Sequence, residues 1–291
     1  MSNRSWDVEV LVSAGDEPFA WDQAEKDLMG EIDTTVPVSA RIWNYWMGGK
    51  DYYQVDEEVG DQFLAVYPGI ADMARSSRLF ISRVVTYLAR DTGIRQFLDI
   101  GTGLPSNDNT HEVALRIAPD CRVVYVDNDP LVLTHARALL TGTQGTTDYI
   151  DGDLNKPADI IRAARGKLDF SQPVAIMLMG ILGHIGNPEE DDDQFARSVV
   201  EQLKQALPAG GYLALYEAAN TNPAYNEAIR IYNETGAVPY HLRSVGQITR
   251  FFDGLEAADP GIVPIQKWRP DERVQGLPED VDAWGGVAVK Q

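Results

Sequence analysis

Residues Phe97-Leu98-Asp99-Ile100-Gly101-Thr102-Gly103-Leu104-Pro105 read as a short buried strand running straight into a glycine turn, with an acid two positions before the first glycine. A chain can turn that sharply, and lay its backbone against a ligand, only where no Cβ intrudes. In an open α/β sheet such a turn lies beyond the carboxyl end of its strand, which is where ligands bind. The chain after it keeps the same grammar. Strands are predicted at Gln96–Ile100, Arg122–Val126, Thr147–Asp151, Pro173–Met179 and Tyr212–Tyr216. Helices are predicted between or after them at Thr110–Ile117, Leu131–Leu140, Lys156–Ala164 and Val245–Phe252, with a further one opened by the acidic run Glu189–Asp193 and ending at Ala206. Pro130 suits a first helical position, where its missing N–H costs nothing. Pro173 to Met179 is apolar throughout, as a strand covered on both faces should be. Such alternation implies a mainly parallel sheet with helices on both faces. Two further strands, Ile262–Trp268 and Trp284–Val289, are separated only by a loop, which suits an antiparallel pair. The expectation is an α/β fold with a seven-stranded, mostly parallel sheet whose last strand is antiparallel.

Three regions are expected. Residues 1–36 form an acidic extension, in which only Trp6–Val12 alternates as a strand would. Residues 37–72 form a helical cap. Its first helix covers Ala40–Met47 after Pro37 and is closed by Gly48-Gly49, and its second covers Asp56–Tyr67. Residues 73–291 form the main domain, entered by a helix over Met73–Arg90 with Met73, Ser77, Phe80, Val84 and Tyr87 on one stripe. The segment Arg41 to Tyr53 is unusually aromatic. It either packs on the main domain or closes over a ligand as a lid, and the two roles are compatible.

Composition narrows the function. With 44% hydrophobic residues the chain can bury a large core. A net charge of -19 and the lack of any Lys/Arg run argue against a nucleic-acid partner, whose phosphates call for a basic face. The single cysteine, Cys121, excludes an intrachain disulfide and a cysteine metal cluster. His111, His135, His184 and His241 show no paired ligand spacing, so no metal is expected. The start lacks the pattern of a secretion signal, and the longest apolar run, Val174–Gly183, is too short for a bilayer. No membrane partner is expected, and the expected location is cytoplasmic.

Acids stand at the ends of successive strands: Asp99, Asp127 and Asp153. Asp127 follows Gly101 by about 26 residues, the place from which an α/β fold offers a carboxylate to ribose hydroxyls. A carboxylate at Asp153 can accept from an exocyclic amine. The glycine turn lacks the third glycine of a dinucleotide fingerprint, since Gly103 is followed by Leu104-Pro105-Ser106-Asn107. An acid two residues before Gly101 suits an ammonium or a sulfonium better than a pyrophosphate. A nicotinamide-dependent dehydrogenase therefore ranks last.

The order Asp-x-Gly-x-Gly, strand-two Asp and strand-three Asp-Leu resembles the class I S-adenosylmethionine-dependent methyltransferases. More narrowly, Ala40 to Asp51, Phe97 to Pro105 and Asn109-Thr110-His111 resemble an actinobacterial S-adenosyl methyltransferase family known largely as a domain of unknown function. The likeness runs from about Ile32 to the C-terminus. It implies a Rossmann-like fold with a helical N-terminal cap and S-adenosyl-L-methionine as cofactor. By the resemblance, Asp99, Gly101 and Gly103 face the methionine part, Asp127 holds the ribose with Asn128 beside the adenine, and Asp153 and Leu154 read the adenine edge. Met179 and Gly180 offer carbonyls near the amino group, and Tyr45, Met47, Gly48 and Gly49 cap the site. Pro105 stands where many methyltransferases have a third glycine and stiffens the loop. Methyl transfer needs orientation and removal of the acceptor's proton. His184, just past strand four, is the candidate base because imidazole titrates near neutrality. His111 reads as structural, and Glu217 as a candidate partner for an acceptor amine. The expected function is methyl transfer to a small-molecule acceptor, with secondary metabolism as its setting. The alternatives are a non-catalytic S-adenosylmethionine-binding regulator and an aminopropyl transferase that uses the decarboxylated cofactor.

Overall fold

The computed structural model describes residues 32–105, 108–140, 146–187, 189, 193–278 and 280–291. The strand expected at Trp6–Val12 lies outside these residues, as do most of the acids of the 189–193 run. Three helices come first: α1 (Ser39–Trp46), α2 (Gln54–Val66) and α3 (Ile70–Arg90). The alternating portion follows as β1 (Gln96–Ile100), α4 (Thr110–Ile117), β2 (Arg122–Asp127), α5 (Pro130–Leu140), β3 (Thr147–Asp151), α6 (Pro157–Ala164), β4 (Ala175–Met179), α7 (Gln194–Ala206) and β5 (Tyr212–Ala218). The chain closes with α8 (Pro223–Tyr232), α9 (Val245–Arg250), β6 (Glu256–Ala257), β7 (Val263–Pro264) and β8 (Ala283–Val289).

The sheet runs β3-β2-β1-β4-β5-β8-β6, with β7 also paired to β8. Strands β1 to β5 are mutually parallel, and β8 lies antiparallel to β5, β6 and β7. Chain order reverses between β1 and β4, so their carboxyl ends flank the crevice in which α/β sheets bind ligands. Side chains alternate across the sheet with the strand's period of two. Phe97, Val123, Met177, Ala214 and Tyr216 enter the core beneath α1 to α3. Leu98, Ile100, Val124, Val126, Ile176, Leu178 and Leu213 enter the core beneath α6, α7 and α9. The same period puts Asp99 on the Phe97 face, under α3.

Some boundaries differ from expectation, for physical reasons. The sheet has eight strands, not seven, because the two-residue β6 adds to β8. The strand expected over Ile262–Trp268 shrinks to Val263–Pro264. Pro264 has no N–H to continue a ladder, and the chain turns into a 3₁₀ helix at Ile265–Lys267. There Arg83 donates to the carbonyls of Trp268 (2.9 Å) and Ile265 (2.6 Å), and the Trp268 ring is buried edge-on to Phe80. Helix α7 begins at Gln194, and of the acidic run expected to open it residues 190–192 lie outside the described residues. Asp193 is the helix's N-cap residue, with φ +65°, and its buried carboxylate pairs with Arg243 at 2.8 Å. Helix α8 falls in a stretch without an expected element. Asn222 caps it by accepting from Ala224 N–H at 2.9 Å, and Pro223 fills its first position.

Candidate functional site

The turn after β1 is left-handed at both glycines, with φ +75° at Gly101 and +62° at Gly103. A Cβ on Gly101 would collide with the Ile181 side chain, so the turn lies directly against the end of β4. Asp127 latches this turn to β2. Its Oδ2 accepts from Gly103 N–H at 2.9 Å, and its Oδ1 accepts from Asn128 and Asp129 N–H at 2.9 and 3.0 Å. Burial raises its pKa against the pull of these donors. A carboxylate has roughly four acceptor sites, so Asp127 keeps one for a ligand hydroxyl. Asp99, buried under α3, accepts from Thr110 Oγ1 at 2.6 Å, which ties β1 to the start of α4. Burial pushes its pKa to about 6, with Asp127 adding to the rise, while the Thr110 bond and Arg78 oppose it. Asp153 accepts from the Asn155 backbone and side-chain amides at 2.9 and 2.8 Å, turning the chain past β3.

These strand ends open into one cavity of about 580 Å³, within the size range of small-molecule sites. Asp99, Gly101, Gly103, Asp127, Asn128, Asp153, Leu154, Met179, Gly180 and His184 all line it. From the N-terminal helices, Ala40 and Trp43 of α1 and Met47, which ends that helix, contribute. That spacing is one helix face. Ile42 and Trp46, on another face, are buried, with Trp46 against Phe63 at 4.9 Å between ring centroids. The aromatic segment therefore both packs and lines the cavity.

Tyr45, Gly48 and Gly49 do not line the cavity. The Tyr45 hydroxyl donates to Asp61, and its ring packs edge-on to Tyr52. Gly48 and Gly49 end α1, donating to the carbonyls of Tyr45 and Asn44, both at 2.9 Å. Gly48 takes φ +76°, and a Cβ on Gly49 would collide with Asn44. Their glycine character is thus explained by the turn itself.

His184 ends a 3₁₀ turn, Leu182–His184, that two buried charges hold from both sides. Glu217, at the end of β5, accepts from Leu182 N–H (2.7 Å), Gly183 N–H (3.1 Å) and Tyr240 O–H (2.7 Å). Arg243 donates to the carbonyls of Leu182 (2.7 Å) and Ile185 (2.9 Å). Glu217 is only 1% exposed, so it positions this turn and is not offered to an acceptor amine. Burial pushes its pKa to about 7, with Arg243 as the main opposing influence. The His184 Nδ1 stands 3.0 Å from the Pro239 carbonyl and its Nε2 3.1 Å from Ser39 Oγ. A carbonyl can only accept, so Nδ1 carries the proton and Nε2 presents its lone pair. Burial lowers the His184 pKa and keeps the ring neutral. His111 is held structurally, its Nδ1 lying 2.7 Å from the Tyr125 hydroxyl.

Sequence reasoning missed Ser39, Ala40, Ser77, Arg78, Ile81 and Tyr216, which also line the cavity. Helical periodicity puts Ser77 on the buried stripe, but nothing in the sequence aims that stripe at a ligand. The strap Asp33–Val38 is likewise invisible in sequence. The Arg41 guanidinium donates to the carbonyls of Asp33 (3.1 Å) and Val36 (2.6 Å) and pairs with the buried Asp56 at 3.0 Å. Asp56 also accepts from Val38 N–H (2.8 Å) and Tyr53 N–H (2.9 Å). Among the described residues there is no group of three or more His, Cys, Asp or Glu that could hold a metal. Among the same residues no helix is long and apolar enough to cross a membrane.

A family model described as S-adenosyl methyltransferase matches residues 25–291. A solved protein of the DUF574 family from Streptomyces avermitilis is 40% identical, with a TM-score of 0.83 over 89% of this chain and 99% of its own. A candidate methyltransferase from Thermobifida fusca is 37% identical, with a TM-score of 0.81 over 89% of this chain and 97% of its own. Among curated proteins none matches.

Proposed function

The chain belongs to the S-adenosyl methyltransferase family, and on that premise we propose that it moves the methyl group of S-adenosylmethionine to a small-molecule acceptor in the cavity beneath α1. The observation that carries the proposal is the joint lining of one cavity by the acids of three strand ends, His184, Trp43 of α1 and Met47 at that helix's end. These residues fit the cofactor chemically. Asp127 has an acceptor site left for a ribose hydroxyl, Asp153 can accept from the adenine amine beside Leu154 and the exposed Asn128, and Asp99 can meet an ammonium. The carbonyls of Met179 and Gly180 add acceptors at the end of β4. Residues 37–72 serve as the cap, with Met47 rather than Tyr45, Gly48 or Gly49 making the contact.

When bound, the cofactor supplies an electrophilic methyl on a sulfonium. The protein's share is to orient the acceptor, exclude water and take a proton. His184 Nε2, neutral and held by Glu217 and Arg243 through its turn, accepts that proton once the acceptor displaces the Ser39 hydroxyl. Five carboxylates and two arginines line the cavity, which favours a neutral or cationic acceptor over an anion. Val36 and Val238, both exposed, form an apolar rim for its non-reacting part. Calorimetric titration with S-adenosylmethionine tests the reading. Binding to the wild type and a loss of about tenfold or more in Asp127→Ala support it, and a folded chain that takes up no cofactor overturns it.

One observation favours a second reading, a cofactor-binding regulator without chemistry: both ring nitrogens of His184 are already hydrogen-bonded. A methylated product recovered from cell extract with labelled cofactor would exclude it.

A further inference from the structure

Among the described residues Arg78 is a cation of the site without an ion-pair partner. It follows Ser77 on α3 and borders the main cavity on one side and a small cavity of about 40 Å³ behind the glycine turn on the other. Among the described residues its one hydrogen bond is long, Nη2 to Asn109 Oδ1 at 3.5 Å. Its Nε is buried with no partner, and no carboxylate of the described residues comes within the 4.0 Å of an ion pair. Arginine has five N–H donors in a planar fork shaped for a carboxylate. Leaving the buried Nε–H unbonded is unfavourable, unless a ligand supplies the acceptor.

Asp99 borders the same two cavities from the strand side, and the two charges feel each other without touching. Tyr125 lines the small cavity with Arg78, and Tyr216 lines the main one. A carboxylate and a guanidinium facing one space across a gap complement a zwitterion whose ammonium and carboxylate hang from one carbon. We propose that Arg78 receives the α-carboxylate of the methyl donor while Asp99 takes its ammonium, so that the site selects donors with an intact amino-acid end. This rests on the cofactor reading above, and it sets the protein against the decarboxylated donor that an aminopropyl transferase would need.

The test is calorimetric, on the full chain, with four probes: S-adenosylmethionine, S-adenosylhomocysteine, decarboxylated S-adenosylmethionine and 5′-methylthioadenosine, which has no amino-acid end. The wild type should bind S-adenosylmethionine about 10- to 100-fold more tightly than the decarboxylated form, the span expected for a hydrogen-bonded charge. Arg78→Met should lose that preference and weaken S-adenosylhomocysteine by a similar factor, with 5′-methylthioadenosine within about twofold of wild type. Arg78→Lys, which keeps the charge but not the fork, should fall between. Unaltered 5′-methylthioadenosine binding also reports that each variant is folded. The proposal is overturned if the wild type does not discriminate, if Arg78→Met keeps the preference, or if it weakens all four probes alike. Wild-type protein that binds 5′-methylthioadenosine but fails these comparisons leaves the adenosyl site standing, whereas binding of no probe takes both readings down.

Discussion

Asp127 joins two jobs in one side chain. It fixes the glycine turn through Gly103 N–H and keeps an acceptor site facing the cavity, so Asp127→Asn should retain part of the latch but bind cofactor less tightly than wild type. Asp99 makes a pH prediction with a definite sign. Burial holds its proton up to about pH 6, above the ordinary 3.8. The folded state therefore binds more protons than the unfolded chain between those values, and this contribution to stability is full below 3.8 and lost as pH rises through about 6. A bound ammonium reverses the preference. Affinity for S-adenosylmethionine should thus rise with pH up to about 6 and level off above it, and calorimetry from pH 5 to 8 would reveal a flat profile if Asp99 took no part. His184 has a lowered pKa, so it remains a competent base on the acid side of the ordinary value of about 6.5. His184→Ala should abolish product formation with cofactor affinity retained. Equal loss of both would mean that the ring is structural.

Elements rather than single residues decide how rigid the site is. The turn after β4 is fastened by Glu217 to its N–H groups and by Arg243 to its carbonyls. Glu217→Ala would leave Leu182 and Gly183 N–H and the Tyr240 hydroxyl without their partner. The expected cost is about 1–3 kcal/mol for each group left unpaired, read as a lower midpoint in urea together with reduced turnover. On the other side of the cavity, Asp56 anchors both the strap and the start of α2. Breaking its buried pair with Arg41 should cost about 3–5 kcal/mol. If Asp56→Ala leaves the unfolding midpoint and cofactor affinity unchanged, the strap does not depend on this anchor.

At the scale of the whole molecule, the reversal of chain order between β1 and β4 gathers the site. Residues as distant as Val36, Asp153 and Val238 share its walls. Binding there is linked to global stability, because a ligand that binds only the folded state stabilises it by about 2.7 kcal/mol at a hundredfold excess over its dissociation constant. For a domain of this size that is a rise in Tm of several degrees, and S-adenosylhomocysteine should produce it in a thermal melt. No rise at saturating concentration would contradict the cofactor assignment.

The strand–helix order, the parallel sheet and the strand-end acids were legible because each depends on short-range rules: a period of two or of 3.6, a proline or glycine at an element end, an acid a fixed distance past a turn. Those same rules placed His184 after β4 and put Ser77 on the buried stripe of α3. They misread Tyr45, Gly48 and Gly49, because a glycine pair that ends a helix and one that admits a ligand look alike until neighbouring side chains are placed. They shortened nothing at Ile262–Trp268, although Pro264 carried the hint. What only the tertiary structure decided is which charges meet: Asp193 with Arg243, Asp56 with Arg41, Glu217 with a turn from another strand, and Arg78 with no carboxylate among the described residues. Those pairings join residues far apart in the chain, and a pattern read along the chain holds no record of distance across it.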